Sequence, residues 1–140
     1  MKSRIFIGTF AIANLGLILY GVIAIIKPDI LLEPFLTHVY QFPPEATGAT
    51  TYLSALYRLL GYFNIIPGVF GLVLLHRYWA TRREWYGRIV VASTALSYIG
   101  PVVFDNTAGT IGFFEILEHV LFALVLIMGF TMLRWQVEVA

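Results

Sequence analysis

Four long apolar segments determine what this chain can fold into. The first, at residues 5–26, has about 22 residues without a charge, and an α-helix needs roughly 20 residues to cross a bilayer. Similar segments follow near residues 51–75, 85–104 and 112–133. Hydrophobic residues make up 59% of the chain and charged residues only 12%, a composition too apolar for a soluble domain. The sequence predicts an all-α, four-transmembrane-helix bundle in which all 140 residues form one integral membrane domain.

Basic residues are distributed unevenly between the connecting segments. The connection between the second and third spans carries Arg77, Arg82, Arg83 and Arg88, whereas Lys27 is the basic residue of the other two connections. Because short loops rich in Lys and Arg stay on the cytoplasmic side of a membrane, we expect both termini to be cytoplasmic. The connection from His76 to Arg88 is expected to be a charged loop.

The first connection is the longest one and predicts a short interfacial helix. Apolar residues recur there at helical spacing on both sides of Pro34: Leu31, Leu32, Phe35, Leu36 and Val39. Such a helix would lie over one end of the bundle. The Phe-Pro-Pro run at residues 42–44 then predicts an extended return, since each proline pushes its predecessor out of the helical region.

Ionisable residues concentrate around the third connection. Asp105 is expected in the turn that ends the third span, and Glu115, Glu118 and His119 follow within 15 residues. On a helix, the last three share an arc of about 100°. Arg58, in the second span, approaches the same layer of the membrane. The predicted topology therefore places five ionisable side chains in one polar cavity of the outer leaflet.

This set predicts acid/base chemistry on a small lipophilic molecule. Two carboxyl groups in a dry cavity cannot both ionise cheaply, so one is expected to act as an acid and the other as a base. We expect Glu118 or Glu115 as the acid, Asp105 as the base or stabiliser, Arg58 as a charge clamp and His119 as a relay. The expected reaction is an isomerisation, a cyclisation or the opening of an epoxide, without a cofactor.

Polar and aromatic side chains inside the spans are the candidate ligand contacts: Asn14, Tyr57, Asn64, Tyr98 and Phe122. Asn14, near the middle of its span, is equally explained by a hydrogen bond between helices. A stripe formed by Gly61, Gly68 and Gly71 predicts close helix packing, either within the bundle or between two copies. Spacing alone leaves both arrangements open.

Three other interpretations of the ionisable cluster remain open. In the first, Arg58 pairs with Asp105 or Glu118 in a structural network, and the protein is a non-catalytic accessory or assembly subunit of a membrane complex. In the second, Glu115, Glu118 and His119 hold a metal with help from Asp105 or His38. In the third, the cluster belongs to a proton or ion path.

Charge and cysteine content bound the partners. With a net charge of +1 there is no general basic surface for nucleic acid. The absence of cysteine excludes thiol chemistry and thiolate metal sites. The expected partners are a lipophilic small molecule and membrane lipid, and a second copy or a membrane-complex subunit is the candidate protein partner.

Several short motifs resemble those of the DoxX-like group of small four-helix bacterial membrane proteins. They are GVIAIIKP at residues 21–28, RLLG beginning at Arg58, the arginine-rich middle connection, and Asp105 at the end of the third span. The resemblance implies a four-helix fold in a bacterial inner membrane. It implies no activity, because much of that group has none assigned, and it carries over no site residues.

Overall fold

The computed structural model describes residues 2–38, 47–108 and 112–137, and these ranges contain helices and no β-strand. The helices are α1 (Lys2–Ile26), α2 (Pro28–His38), α3 (Thr47–Thr81), α4 (Glu84–Ala108) and α5 (Phe113–Val137). All except α2 are long and apolar enough to cross a membrane. The predicted bundle of four transmembrane helices, with a short helix in the first connection, is confirmed.

The four long helices form a closed ring in chain order. Helix α1 packs on α3, α3 on α4, α4 on α5, and α5 on α1, with a further diagonal contact between α1 and α4. The pairing of α1 with α3 is the most extensive. Because lipid is as apolar as a leucine side chain, close van der Waals packing rather than hydrophobic burial must hold such helices together.

Glycines bring the backbones of α1 and α3 into direct contact. A Cβ placed on Gly61 would lie 2.6 Å from the carbonyl oxygen of Gly21, and one on Gly68 would lie 2.8 Å from that of Asn14. Gly71 likewise faces the Asn14 side chain. The predicted glycine stripe therefore packs within the bundle, against α1.

Helix α2 folds back on the end of the α1–α3 pair. Pro28 begins it, a position where the missing amide proton is not needed for a helical hydrogen bond. Leu31 and Leu32 are buried and belong to one apolar cluster with Ala24 and Tyr57. The predicted extended return at residues 42–44 lies outside the described residues.

The middle connection is shorter than predicted. Helix α3 continues through His76 to Thr81 and α4 begins at Glu84, so only residues 82–83 lie between them. Arg82 adopts a left-handed conformation with φ 55°, and its amide donates to the Tyr78 carbonyl oxygen at 2.8 Å. The polar residues of this segment mark where the helix leaves the membrane, but they do not end it. Arginine, tryptophan and alanine are compatible with an α-helix, so α3 continues past the membrane border.

Asp105 lies within α4, which corrects the predicted turn. The last turn of the helix is held by side chains that bond backwards: Asn106 Nδ2 donates to the Val102 carbonyl at 2.7 Å, and Thr107 Oγ1 to that of Val103 at 2.7 Å. The hydrogen-bonding groups of these two side chains are thereby satisfied by the preceding turn of the same helix. The helix can therefore include the Asp-Asn-Thr sequence.

Side-chain hydrogen bonds connect α1 to α4 in the middle of the bundle. Asn14 is fully buried, and its Nδ2 donates to the Phe10 carbonyl at 2.7 Å and to Thr94 Oγ1 at 3.1 Å. The Tyr98 hydroxyl donates to the Ala13 carbonyl at 2.7 Å. Asn14 therefore acts as a link between helices, as its alternative explanation from the sequence expected, and its contact with a ligand stays a prediction.

Thr94→Val should weaken this link without changing the shape of the side chain. Hydrogen bonds between transmembrane helices contribute about 0.6 kcal/mol on average and at most about 1.7 kcal/mol, so we expect the free energy of unfolding to fall by roughly 0.5–1.5 kcal/mol. The measurement is unfolding by SDS in mixed micelles. The control is Thr131→Val, because Thr131 bonds only within its own helix, to Met128. Equal effects of the two substitutions would contradict the role of Thr94.

Candidate functional site

The remaining polar side chains of the bundle gather at its distal end, defined here as the end where α1 and α4 finish and α5 begins. Asp105 follows Arg88 by about 17 residues, or roughly 26 Å of helix. Glu118 lies about one and a half turns inside α5. Since the hydrocarbon core is ~30 Å thick, both carboxyl groups lie inside the membrane-spanning part of the protein, near its distal border.

Asp105 faces a cavity of 220 Å³ between α1, α3 and α4, called here the Asp105 cavity. Its walls are formed by Tyr20, Tyr57, Leu60, Asn64, Gly100, Pro101, Phe104 and Asp105. Asp105 is only 8% exposed, and its Oδ2 is buried without a hydrogen-bond partner. Buried polar atoms are nearly always bonded, so this oxygen is the unsatisfied group of the site.

Glu118 faces a second cavity, of 70 Å³, between α1 and α5, called here the Glu118 cavity. Its polar lining consists of Tyr20, Asn64, Tyr98 and Glu118. The rest of its wall is apolar or glycine: Gly16, Leu17, Leu19, Ile23, Phe114, Leu117 and Leu121. A carboxyl group is thus placed in surroundings that offer it few polar partners.

Tyr20 and Asn64 line both cavities, which therefore adjoin each other. Asn64 is 8% exposed, and its Nδ2 donates to the Leu60 carbonyl at 3.1 Å. The Tyr20 hydroxyl makes no hydrogen bond with the described residues. Glu118 lies within electrostatic reach of Asp105. The arrangement places two carboxyl groups in cavities that share one phenol and one amide in their walls.

Arg58 does not lie at this site, which corrects the prediction of a charge clamp. Its neighbour Tyr57 faces the bundle, and a step of about 100° along the helix turns Arg58 outward, where its side chain is exposed. Counted back from His76, about 20 residues of α3 span the hydrocarbon core and begin near Leu56. The long side chain can therefore carry its guanidinium to the lipid headgroups at the distal end, instead of forming an ion pair inside the bundle.

Glu115 serves as a helix cap. Its Oε2 accepts a hydrogen bond from the Gly112 amide at 2.9 Å, which is the glutamate half of a capping box at the start of α5. This contact explains why an acidic residue is present in the first turn. The structure gives Glu115 this local partner and does not place it among the lining residues of either cavity, and its catalytic role stays a prediction.

His119 connects α5 to the end of α4. Its Nδ1 lies 2.7 Å from the Glu115 carbonyl oxygen, which can only accept, so Nδ1 carries the proton. Its Nε2 lies 2.8 Å from Asn106 Nδ2 and accepts from that amide. Both ring nitrogens take part in hydrogen bonds, and His119 lines neither cavity. The relay role of His119 stays a prediction.

The other predicted ligand contacts divide into two groups. Tyr57 and Asn64 line the Asp105 cavity, and Tyr98 lines the Glu118 cavity although its hydroxyl is bonded to α1. Phe122 lines neither cavity; it stacks on Tyr98 with ring centroids 6.4 Å apart. Phe122 supports the wall of the site from behind.

The alternative metal set is not assembled among the described side chains. Within residues 4–33, 48–107 and 112–132, no three His, Asp or Glu side chains converge on a point that could hold an ion. Glu115 and His119 are turned toward their own hydrogen-bond partners. His38, the other candidate ligand, has a side chain outside the described ones.

Sequence reasoning missed Tyr20, Gly100 and Asn106. Tyr20 lies at the centre of the site. The sequence feature that could have indicated it is a phenol in an otherwise apolar span, four residues after Gly16. Gly100 lines the Asp105 cavity, but its pairing with Pro101 suggested only a loosened helix. Asn106 stood in an apparent turn, and nothing in the sequence indicated its contact with His119.

Comparison with known proteins gives a family but no activity. Residues 43–134 match the sequence profile of a family described as a family of unknown function, DUF6069. The match includes all of α3 and α4 and most of α5, with both Asp105 and Glu118. No curated protein and no protein of solved structure matches the chain. Because the profile covers well over half of its residues, the chain belongs to the DUF6069 family.

Proposed function

We propose that this protein is a membrane-embedded enzyme that converts a small lipophilic molecule by acid/base chemistry. The observation that carries the proposal is the pair of carboxyl groups, Asp105 and Glu118, in adjoining cavities inside the membrane-spanning bundle. One of them has a buried oxygen without a partner. Placing carboxyl groups in such surroundings is costly, and intramembrane ionisable residues commonly mark functional sites.

The proposed chemistry needs one carboxylate and one carboxylic acid. In an isomerisation, the carboxylate removes a proton from carbon while the acid delivers a proton to another atom, and a proton then returns between the two groups. A cyclisation is balanced in the same way, with an internal nucleophile forming the new bond. In epoxide opening, the acid protonates the oxygen as its C–O bond breaks, and the carboxylate activates the one water molecule that adds.

The geometry supports a smaller catalytic set than the sequence suggested. Asp105 and Glu118 carry the proton transfers, and Tyr20, Tyr57 and Asn64 orient the substrate by hydrogen bonds. Catalysis by two carboxyl groups requires their proton affinities to differ. The two cavities differ in size and in polar lining, which supports unequal surroundings for the two groups. No cofactor is needed for these reactions.

The proposed location is the inner membrane of a bacterium, with both termini in the cytoplasm. Support comes from the arginines of the middle connection and from the resemblance to the DoxX-like group. In this orientation, the distal end lies in the outer leaflet. Substrate and surrounding lipid would be the partners, and a second copy or another membrane subunit could pack on the lipid-facing surface.

A non-catalytic accessory subunit is the alternative function, and it receives less support. It depends on a structural salt-bridge network at the distal end. Among the side chains that the structure describes, the recorded ion pair joins Arg88 to Glu84 at 3.6 Å, near the other end of α4. Arg58, the expected partner of the acidic residues, is exposed on α3.

Glu118→Gln tests the proposed function. Purified protein in nanodiscs is incubated with a bacterial lipid extract in deuterated water, and mass spectrometry follows lipophilic molecules that gain carbon-bound deuterium or one water. We expect the wild-type protein to label specific molecules and Glu118→Gln to reduce the rate at least about 100-fold, since general acid/base groups contribute 10²–10⁴-fold.

Glu115→Gln is the matched control on the same helix. Glutamine can replace glutamate in a capping box, so the helix start is kept while one carboxylate is lost. Labelling should stay within a few-fold of wild type. Equal activity of wild type and Glu118→Gln, or equal labelling by empty nanodiscs, would contradict the proposed function.

A further inference from the structure

We infer that the Asp105 cavity takes its ligand sideways from the lipid, between α3 and α4, and that it selects lipophilic molecules with a hydroxyl head over those with an anionic head. This inference rests on the proposed function, because it names the route and the chemical class of the same substrate. Its evidence is separate and consists of the shape and the lining of the cavity.

The wall of the cavity reaches the outer surface of the bundle. Leu60 on α3 is 39% exposed and Phe104 on α4 is 49% exposed, yet both line the cavity. Gly100, one turn before Phe104, is exposed as well, and a Cβ placed there would meet no atom within 4 Å. An opening therefore exists between α3 and α4, with Gly100 in its wall.

This opening lies at the depth of the acyl chains. Gly100 follows Arg88 by about 12 residues, which is roughly 18 Å of helix. The hydrocarbon core is ~30 Å thick, so a point 18 Å from one border lies well inside it. A molecule that enters here comes from the lipid and not from water.

The polar end of the cavity accepts hydrogen bonds and has no cation. Asp105 Oδ2 is buried and unpartnered, and Tyr20, Tyr57 and Asn64 surround the same space. A hydroxyl group can donate to the Asp105 carboxylate, and such charge-assisted bonds are the stronger class. The ligand would thereby satisfy the one buried polar atom of the site that lacks a partner.

An anionic head would be repelled by the acidic residues of the site, with no basic residue to offset the repulsion. None of the residues that line either cavity is basic, and two are acidic. In surroundings of low dielectric constant, repulsion between like charges is weakly screened. Fatty acids and anionic phospholipids are therefore disfavoured, and a neutral alcohol is accepted.

The size of the cavity indicates that only part of the ligand enters. Cavities that enclose a whole drug-sized ligand measure about 300–1,000 Å³, and the Asp105 cavity measures 220 Å³. The head and the first carbons fit inside, while the remaining chain lies across the Gly100 opening in the bilayer. The site thus binds one end of an extended lipophilic alcohol.

A pair of photoreactive probes tests the inference. Dodecan-1-ol and dodecanoic acid, each with a diazirine in the chain, are added to the full-length protein in nanodiscs, and labelled peptides are mapped by mass spectrometry. The alcohol should label the facing segments at residues 60–64 and 100–105, and unlabelled dodecan-1-ol should compete. The acid should label these segments at least tenfold less. Equal labelling by both probes would overturn the selectivity.

Gly100→Leu should block the opening and reduce labelling by the alcohol at least tenfold. Gly8→Leu is the matched control, because a Cβ on Gly8 also meets no atom within 4 Å and this residue is far from the cavity. Leu60→Trp obstructs the opening from α3 and serves as a second variant if Gly100→Leu does not fold. Unchanged labelling in a folded obstructing variant would overturn the lateral route.

The two proposals can fail separately. Loss of labelling in Gly100→Leu, without any deuterium gain by wild-type protein, would support the binding site and contradict the enzymatic function. Deuterium gain that depends on Glu118, with labelling unaffected by Gly100→Leu and Leu60→Trp, would support the function and overturn the lateral route.

Discussion

Gly61→Ala is expected to destabilise the bundle strongly, because Gly61 lies where the backbones of α1 and α3 touch. The new Cβ would lie 2.6 Å from the Gly21 carbonyl oxygen and 2.7 Å from Ile25 Cγ1. The first of these is a backbone atom and cannot move away unless α1 and α3 separate. Overpacking typically costs 1–3 kcal/mol and occasionally more, and we expect a loss of about 3 kcal/mol in the free energy of unfolding.

Unfolding by SDS in mixed micelles measures this loss. Gly8→Ala adds the same methyl group to α1 where the surrounding space is open, and it should leave the midpoint unchanged or slightly raised. If Gly61→Ala were as stable as Gly8→Ala, the backbones of α1 and α3 could not be in contact at this position. The glycine stripe would then be available to a second copy of the chain.

Asp105→Asn is expected to abolish turnover while leaving the protein as stable as before, or more stable. The substitution keeps the shape of the side chain and removes a carboxyl group whose Oδ2 has no hydrogen-bond partner. Because no described ion pair involves Asp105, no partner is left unpaired. The rate of deuterium incorporation should fall at least about 100-fold, as expected for a lost general acid or base.

The stability of this variant separates the enzymatic proposal from the accessory-subunit alternative. Breaking a buried salt-bridge network by removing one partner typically costs 3–5 kcal/mol, so a structural role predicts a large fall in the unfolding midpoint. Asp29→Asn is the control, an identical change at an exposed position in the first turn of α2. A fall of several kcal/mol in Asp105→Asn alone would favour the structural role.

Depth within the membrane could be predicted from the sequence because it follows from counting residues. Each helical residue advances roughly 1.5 Å, so the positions of charges along the apolar segments place Asp105 and Glu118 near one end of the bundle. The short helix in the first connection followed from apolar spacing in the same way. Helix ends were less accurate: α3 and α4 extend further than predicted, and Thr81, Asn106 and Thr107 at their ends bond back to carbonyl groups of the preceding turn.

The direction in which a side chain points around its helix axis could not be predicted, because it depends on how neighbouring helices pack. Arg58 and Asp105 were expected at comparable depth, yet Arg58 faces outward and Asp105 inward. Local competition mattered as well. Glu115 and His119 form hydrogen bonds with backbone groups close to them in the sequence. The sequence alone does not show that these bonds form.

The sequence by itself determined the class of the protein, the number of its membrane-crossing helices and the layer that holds its acidic residues. These depend on composition and on rise per residue, which are properties of single helices. The tertiary structure decided which side chains share a cavity: it joined Asp105 and Glu118 through Tyr20 and Asn64, turned Arg58 away, and opened a gap at Gly100. Those outcomes depend on the rotation of each helix against its neighbours, and the close approach of α1 to α3 at their glycines sets that rotation for this pair of helices.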